Sequence, residues 1–313
     1  MPSFVSLLLL VIAALPSAQA DTSSSAFTFE RGLMGTRFAI TCHGTDQQAA
    51  KIASDAAFQA AEEINQVASD YIADSELLSL TKQPAGEPIS ISPLLFDLIT
   101  QARDFAAKTN GHFDPSLGPL TKLWRESRRR KSLPQPATLT TARAATGWQN
   151  LILDPQKSTI LFSKPHMRLD LGGIAKGQAA DAMLRVMTAH HFPCSCITAG
   201  GDVRLGNPPP GTEGWKIGVK SISEDPSDTL TLANCAVSTS GDLHQFIEIN
   251  GIRYSHIIDP ATGLGVTHAI AATIIAPTAT MSDALATACC TAPENTAEKM
   301  ALAAGATRVI LRR

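Results

Sequence analysis

The segment Leu169-Asp170-Leu171-Gly172-Gly173-Ile174-Ala175-Lys176-Gly177 joins an apolar run to a helix through paired glycines. Its pattern predicts a strand over 167–170, a turn at the two glycines, and a helix over 174–191. Because glycine has no Cβ, such a turn can approach a ligand closely, and the N–H groups at the start of a helix can bind an anion. Lys176 adds a positive charge in the first turn. Taken alone, the segment fits a tight strand-to-helix turn as well as a phosphate site.

The rest of the chain predicts an α+β fold around this segment. Helical spacing or capping residues predict helices at 46–68, 92–109, 138–146, 282–291 and 294–303. Short β-type runs cover 26–30, 36–42, 151–153, 159–162, 195–199, 215–219, 229–232, 245–249, 253–258 and 270–276. Several links between strands are too short for parallel crossovers, so the sheet should be largely antiparallel. No repeat or linker divides residues 21–313, which we expect to form one α+β domain.

Net charge and cysteine spacing give no indication of a nucleic-acid-binding protein or of a zinc module. The 313 residues carry a formal net charge of −2, so no nucleic-acid surface is indicated. The one basic run, 128–131, precedes two prolines and is predicted to be a solvated loop. The six cysteines match no zinc module in their spacing, and we expect them to be small buried hydrophobic residues.

The N-terminal segment predicts export. An apolar run at 4–15 is followed by Ala18-Gln19-Ala20, which fits the small-x-small rule for cleavage, so residues 1–20 are predicted to be a signal peptide. No cysteine lies near the cleavage point to accept a lipid. The mature chain has no other segment of transmembrane length. We therefore expect a soluble periplasmic protein.

Three further segments carry side chains that could bind a ligand or take part in catalysis. They are the loop 111–120, which contains Phe113 and Asp114; a second Gly-Gly pair at Gly200-Gly201-Asp202; and 254–263, in which His256 follows a predicted strand. The alternatives for these segments are, in the same order, a rigid surface loop, a tight hairpin and a histidine with a structural role. Strand ends beside loops are nevertheless where catalytic groups tend to lie.

The segment Met281-Ser282-Asp283-Ala284-Leu285-Ala286-Thr287 suggests a metal site. If Ser282 caps the helix, Asp283 lies in its first turn and Thr287 lies one turn later on the same face. A carboxylate and a hydroxyl on one face suit Mg²⁺. The alternative is an aspartate stabilised by the helix dipole and a threonine bonded back to a carbonyl.

The order and spacing of these segments identify a family. The chain resembles the ApbE-type flavin transferases, also called FAD:protein FMN transferases, from about Phe29 to Ala303. The motifs that carry the resemblance are Met34-Gly35-Thr36, Tyr71 before Ser75-Glu76-Leu77, Phe113-Asp114-Pro115, Gly118-Pro119-Leu120, Asp170 to Gly177, Ala199-Gly200-Gly201-Asp202, His256-Ile257-Ile258-Asp259-Pro260, and Ala276-Pro277-Thr278 leading to Asp283.

The resemblance implies a fold, a reaction and a set of site residues. Family members bind FAD in a cleft of one α+β domain, use Mg²⁺, transfer FMN to a threonine hydroxyl of a partner protein, and release AMP. The metal would be held by Gly173, through its carbonyl, with Asp283 and Thr287. His256 would be the base, with Asp283 as the alternative. The FAD site would be lined by Met34, Tyr71, Phe113, Asp114, Asp170, Lys176 and Ile258. Ala286 stands where some relatives have a polar residue, so one FAD contact would be absent.

The partner implied by the resemblance is a membrane-associated electron-transfer protein with an exposed acceptor threonine. Two other activities remain open at this point. An Mg²⁺-dependent FAD pyrophosphatase would use water in place of threonine and give FMN and AMP. A non-catalytic periplasmic flavin-binding protein would need neither the metal residues nor the base.

Overall fold

A computed structural model describes residues 24–219, 229–242 and 245–312, so the predicted signal peptide lies outside the described residues. The strands are β1 (Ser25–Leu33), β2 (Thr36–Gly44), β3 (Ile89–Ser90), β4 (Leu151–Asp154), β5 (Thr159–Phe162), β6 (Ser195–Ala199), β7 (Asp202–Leu205), β8 (Trp215–Gly218), β9 (Thr229–Leu232), β10 (Ala236–Gly241), β11 (Phe246–Ile249), β12 (Ile252–Ser255), β13 (Ala271–Ala276) and β14 (Arg308–Arg312). The helices are α1 (Gln47–Ala68), α2 (Glu76–Leu80), α3 (Pro93–Lys108), α4 (Gly118–Arg130), α5 (Pro136–Ala144), α6 (Ala175–Ala189), α7 (Ala279–Thr291) and α8 (Glu294–Ala303). Among the helices of the described residues, none combines the length and the hydropathy that a transmembrane span requires.

A seven-stranded sheet forms the centre of the molecule. Its strand order is β1-β2-β6-β7-β10-β13-β14, and every neighbouring pair is antiparallel. Helices α1, α6 and α7 contribute buried faces to one hydrophobic core with this sheet. The predicted α+β class with a largely antiparallel sheet is confirmed.

A second, smaller core fixes α4 against the hairpin of β11 and β12. It contains Leu120 and Trp124 from α4 together with Tyr254 and Ile258. The indole N–H of Trp124 donates to the carbonyl of Ser255 over 2.8 Å. Because Ser255 is the last residue of β12, this bond positions the residue that follows the strand.

Two predictions around α4 were wrong. The basic run 128–131 is not a loop, because its three arginines form the last turn of α4 and Lys131 is the left-handed residue that ends the helix. Residues 118–120 begin the same helix, with a proline in its first turn, where a missing N–H costs nothing. Leu120, Trp124 and Ser127 form its buried face.

Two further predictions around the motif segments were wrong. Residues 167–170 do not form a strand. Among the described residues, their only β-type pairing is an isolated bridge between Leu117 and Arg168. The segment lies beside a loop, so it has no neighbouring strand with which to form a sheet. Ser282 does not cap α7: Thr278 is the cap, its side chain accepting from the N–H of Met281. Asp283 is therefore one turn deeper in the helix than predicted.

Candidate active site

A buried charged cluster lies where α6, α7 and the turn before β7 meet. Lys176 Nζ is 3.0 Å from Asp202 Oδ2 and 3.1 Å from Asp283 Oδ2. The N–H of Gly177 also donates to Asp283 Oδ2 over 3.1 Å. The two carboxylate side chains are 6% and 3% exposed, and that of Lys176 is 30% exposed. The cluster therefore has one edge open to solvent, on the lysine side.

Close contact between α6 and α7 holds this cluster together. A Cβ on Gly177 would lie 2.2 Å from the carbonyl oxygen of Ala279, so only glycine allows the two helix starts to approach this closely. Asp181 on α6 accepts from the N–H groups of Ala279 and Thr280 at the start of α7, over 3.0 and 2.8 Å. Asp181 therefore sets the position of the helix that carries Asp283.

The charges of the cluster do not cancel. Burial disfavours the ammonium of Lys176, but the two carboxylates outweigh that effect and raise its pKa above the ordinary value. Burial and the charge of Asp202 raise the pKa of Asp283 to about 6, against the opposing effect of Lys176. One cation faces two carboxylates, and Asp202 Oδ2 is buried with no hydrogen bond of good geometry among the described residues. The cluster has oxygen donors and a negative charge that suit a hard divalent cation.

The paired glycines lie directly against α7. A Cβ on Gly173 would be 3.0 Å from Thr287 Oγ1 and 3.3 Å from the ring of Phe113. Thr287 Oγ1 is also 3.3 Å from Ser240 Oγ. The structure thus brings Gly173, Thr287 and Phe113 together, although they are far apart in sequence. It places Asp283 one turn before Thr287 on the same helix.

His256 follows β12 directly and is half-buried. Its Nδ1 is 3.2 Å from the carbonyl oxygen of Gln245. A carbonyl can only accept, so Nδ1 carries the proton and Nε2 has a free lone pair. Burial lowers the pKa of His256, and the charges of Arg128 and Lys176 add to this effect, although the bond to Gln245 and the charge of Asp242 oppose it. The imidazole is therefore neutral near pH 7 and can accept a proton at Nε2.

Asp114 and Asp170 have structural bonds that the sequence did not predict. Asp114 accepts from the N–H and hydroxyl of Ser116 over 2.7 and 2.6 Å, and from the N–H of Trp148 over 3.2 Å. Asp170 accepts from the N–H of Gly172 over 2.8 Å. Both carboxylates fix loops at the site. The same hydrogen bonds hold each carboxylate in place, in a position from which it could contact a ligand.

A second cation lies between two carboxylates beneath Tyr71. Arg125 Nη1 is 2.5 Å from Asp70 Oδ2, and its Nη2 is 3.5 Å from Asp170 Oδ2. The guanidinium lies over the Tyr71 ring, 4.2 Å from its centroid. The tyrosine is 75% exposed. Its outer face is therefore open for stacking.

The remaining predicted residues differ in their surroundings. Met34 lies in the β1–β2 turn and lines an open cleft of about 530 Å³ together with residues of α1. This turn is next to Gly200, whose Cβ would lie 2.7 Å from Thr36. Ile258 packs in the second core, and Ala286 is fully buried in the main core.

Sequence reasoning did not assign three residues that organise the site. Asp202 was noted in a Gly-Gly motif, but only the fold shows it beside Lys176. Asp181 and Arg125 were not singled out. The signal for Asp181 was weak, since one acidic residue within a helix is ordinary. For Arg125 the clue was its position one residue after a tryptophan in an amphipathic pattern.

The sequence of the chain is similar to those of one protein family. The family model described as "ApbE family" matches residues 34–311. An FAD:protein FMN transferase of Treponema pallidum is 33% identical over 233 residues, covering 69% of this chain and 64% of that protein. One of Chlamydia muridarum is 30% identical and covers 72% of each chain.

Solved structures agree with the sequence comparison. The ApbE protein of Thermotoga maritima superposes with a TM-score of 0.82 at 29% identity, covering 92% of this chain and 94% of that one. The flavin transferase ApbE of Vibrio cholerae superposes with a TM-score of 0.80 at 26% identity, covering 92% and 93%. With a matching family model over most of its length, the chain belongs to the ApbE family.

Proposed function

We propose that this chain transfers the FMN half of FAD to a threonine hydroxyl of another protein in an Mg²⁺-dependent reaction. Its relatives are FAD:protein FMN transferases, so protein flavinylation is the activity that homology assigns to it. The observation that best supports the mechanism is the buried cluster of Lys176, Asp202 and Asp283, which carries excess negative charge beside the Gly172–Gly173 turn.

The metal would be held by Asp283, Thr287 and the carbonyl of Gly173. All three supply oxygen, the donor that Mg²⁺ prefers. The contact between Gly173 and Thr287 supports this assignment. When bound, Mg²⁺ would offset charge on the pyrophosphate oxygens of FAD.

The protein residues would stabilise the pyrophosphate and accept a proton. The threonine oxygen forms a bond to the phosphorus of the FMN half, the phosphoanhydride bond breaks, and AMP leaves with the bridging oxygen. Lys176 and the N–H groups at the start of α6 offset the negative charge that develops. The hydroxyl proton passes to Nε2 of His256, whose lone pair is free because Nδ1 is bonded to Gln245.

The FAD-binding assignments remain predictions. Tyr71 offers an exposed ring, and Met34 lines an open cleft. Phe113, Asp114 and Asp170 lie in the loops around the Gly172–Gly173 turn. The side chains of Ile258 and Ala286 are buried. Either residue could contact FAD only if the ligand reached into the protein or if the contact came from the backbone of that residue.

Two alternatives and the cellular setting belong to the same proposal. A pyrophosphatase would need water at the position of the threonine hydroxyl, and Tyr71 can shield that position. A flavin carrier would not need the neutral histidine beside the charged cluster. Export by residues 1–20 would bring the protein to the periplasm, where a membrane-associated electron-transfer protein would present its threonine.

Mass spectrometry of a threonine-containing candidate acceptor, incubated with the mature chain, FAD and Mg²⁺, tests the function. We expect the acceptor to gain one FMN with release of AMP, and we expect EDTA to prevent the gain. Release of FMN and AMP without an adduct would instead identify a pyrophosphatase. FAD left intact with every candidate acceptor would favour a carrier.

The role of His256 is tested separately with His256→Ala. We expect FAD binding to persist while the rate of transfer falls by about 10²- to 10⁴-fold. A variant that binds FAD and transfers FMN at the normal rate would remove His256 from the mechanism.

A further inference from the structure

A buried ion pair joins the end of β10 to the β11–β12 hairpin. Asp242 follows β10 and has a fully buried side chain, whereas the side chain of Arg253 on β12 is 23% exposed. The guanidinium Nη1 donates to the carboxylate, and Nη2 donates to the backbone carbonyl of the same aspartate over 2.8 Å. Because a planar guanidinium donates through two nitrogens at once, this pair fixes the angle between the two segments as well as their distance.

The carboxylate of Asp242 takes part in the bonding of the central sheet. The N–H of Asp242 donates to the carbonyl of Ile270 over 3.3 Å, and the N–H of Ile270 donates back to Asp242 Oδ1 over 3.2 Å. The backbone carbonyl of Asp242 accepts instead from Arg253 and from the N–H of Gln245, the latter over 3.3 Å. The end of β10 therefore determines where Gln245 lies.

Gln245 in turn holds His256 through two bonds. Its carbonyl oxygen accepts from the backbone N–H of His256 over 2.9 Å and is 3.2 Å from Nδ1 of the same residue. A carbonyl oxygen has two lone pairs, so it can accept both. The bond to Nδ1 selects the tautomer that leaves the Nε2 lone pair free, and the bond to the backbone N–H fixes the origin of the side chain. The position of this carbonyl thus decides where Nε2 points.

The first residue of β11 adds a second link between Arg253 and this carbonyl. The guanidinium lies over the ring of Phe246, 4.2 Å from its centroid. Phe246 follows Gln245 directly and is 44% exposed, so burial in a core does not account for its position. Arg253 therefore restrains Gln245 from both sides, through the Asp242 carbonyl and through the neighbouring ring.

We propose that Asp242 and Arg253 form a positioning pair for His256, which acts through the carbonyl of Gln245 to hold the imidazole as the Nδ1–H tautomer. In many sites a carboxylate bonds the catalytic histidine directly. Here a neutral carbonyl makes that bond, and the carboxylate lies one step behind it. A carboxylate in contact would favour the protonated imidazole, whereas a carbonyl orients the ring and leaves it neutral. The inference rests on the proposed function and adds two residues to it.

The first test observes the tautomer directly. Long-range proton–nitrogen NMR of protein containing isotope-labelled histidine distinguishes a protonated ring nitrogen from an unprotonated one. His256→Ala identifies the signal of His256 among the eight histidines of the chain. In the parent protein we expect Nδ1 to carry the proton. In Arg253→Met we expect a mixture of the two tautomers, because Gln245 is no longer held.

The second test measures the rate of transfer. Arg253→Met should lower kcat by about 10- to 100-fold, since a misdirected base loses most of its advantage, and FAD affinity should stay unchanged. Arg31→Met is the matched control. Arg31 also pairs with an aspartate and lies over a phenylalanine ring, but in β1, and its loss should leave kcat unchanged.

A double variant separates positioning from a general structural effect. If Arg253 acts only through His256, Arg253→Met should lower kcat in the parent and have no further effect in the His256→Ala background. Losses that multiply in the double variant would overturn the proposal. An Arg253→Met protein that keeps the tautomer of the parent would overturn it as well.

A milder substitution covers the case in which Arg253→Met does not fold. Arg253→Lys keeps a cation beside the buried carboxylate of Asp242 but loses the planar fork that also reaches the carbonyl. It must then show a mixture of tautomers and a smaller loss of kcat, and an unchanged tautomer would contradict the positioning pair. Because the NMR measurement needs no transfer, a fixed tautomer in a protein without transferase activity would contradict the proposed function but not this pair.

Discussion

Two regions of this molecule place one cation between two carboxylates. In the first, Lys176 lies between Asp202 and Asp283. In the second, Arg125 lies between Asp70 and Asp170. Both groups have the same formal charge and are largely shielded from water. They nevertheless present different surfaces to a ligand.

The difference comes from the shape of the cation and the depth of its partners. The guanidinium of Arg125 is planar, so it can bridge two carboxylates and cover Tyr71 at the same time. The ammonium of Lys176 is compact, and an oxygen of Asp202 beside it has no hydrogen bond of good geometry. The arginine group is therefore suited to support a ring, and the lysine group retains oxygen donors for a cation. Equal charge does not imply equal function.

The largest expected effect separates the two groups by activity. Asp283→Asn should lower the rate of FMN transfer by about 10³-fold, because an amide is a poor Mg²⁺ ligand and carries no charge. Asp170→Asn in the arginine group should lower it by about tenfold or less. Initial rates at saturating FAD and increasing Mg²⁺ measure both. Equal losses in the two variants would contradict the functional division.

A second comparison replaces each cation. Lys176→Met leaves two buried carboxylates close together, and we expect it to lower the free energy of unfolding by about 3–5 kcal/mol. Arg125→Met should cost about 1 kcal/mol, because its partners Asp70 and Asp170 are 9% and 14% exposed and regain water more easily than Asp202 and Asp283, which are 6% and 3% exposed. Urea denaturation without divalent cations measures both values. If Arg125→Met lost as much free energy of unfolding as Lys176→Met, or more, the lysine would not contribute more to stability than the arginine.

The lysine group should also give a characteristic pH dependence of stability. The pKa of Asp283 is raised from 3.8 to about 6, so the native state holds its proton while the unfolded state releases it. Between these pH values the native state binds more protons, and the free energy of unfolding falls as pH rises, by on the order of 2–3 kcal/mol.

Asp283→Asn should remove that component. The variant should show a flatter stability curve than the parent between about pH 4 and pH 6, measured by urea denaturation in EDTA. Parallel curves for the two proteins would mean that Asp283 titrates at the same pH in the folded and unfolded chains.

The smallest expected effect concerns the ring over Arg125. Tyr71→Ala should change the free energy of unfolding by no more than about 0.5 kcal/mol, because the side chain is mostly exposed. We expect it to raise KM for FAD about fivefold by removing a stacking surface, and Tyr71→Phe should preserve KM. An unchanged KM in the alanine variant would exclude stacking of this ring on the flavin.

Local sequence signals were reliable where a pattern extends over several turns. The helices that became α1, α3 and α8 follow from alanine-rich periodicity or from clear caps, such as Ser92 before Pro93. The same reasoning failed for α4, because Gly118, Pro119 and a run of basic residues look like a loop when read locally. Burial of Leu120 and Trp124 against β12 stabilises that helix. It is a long-range interaction that no local pattern contains.

By itself, the sequence determined the α+β class, the antiparallel sheet and, through the order of its motifs, the family. These properties depend on local periodicity and on residue types that recur along the chain. Only the tertiary structure decided that Asp202 pairs with Lys176, that Asp181 anchors α7, and that Arg125 bridges Asp70 and Asp170. Such contacts join residues from different elements, and their distances depend on how helices and strands pack. The sequence supplied the charged groups of this site, and packing decided which of them are neutralised and which remain open to a ligand.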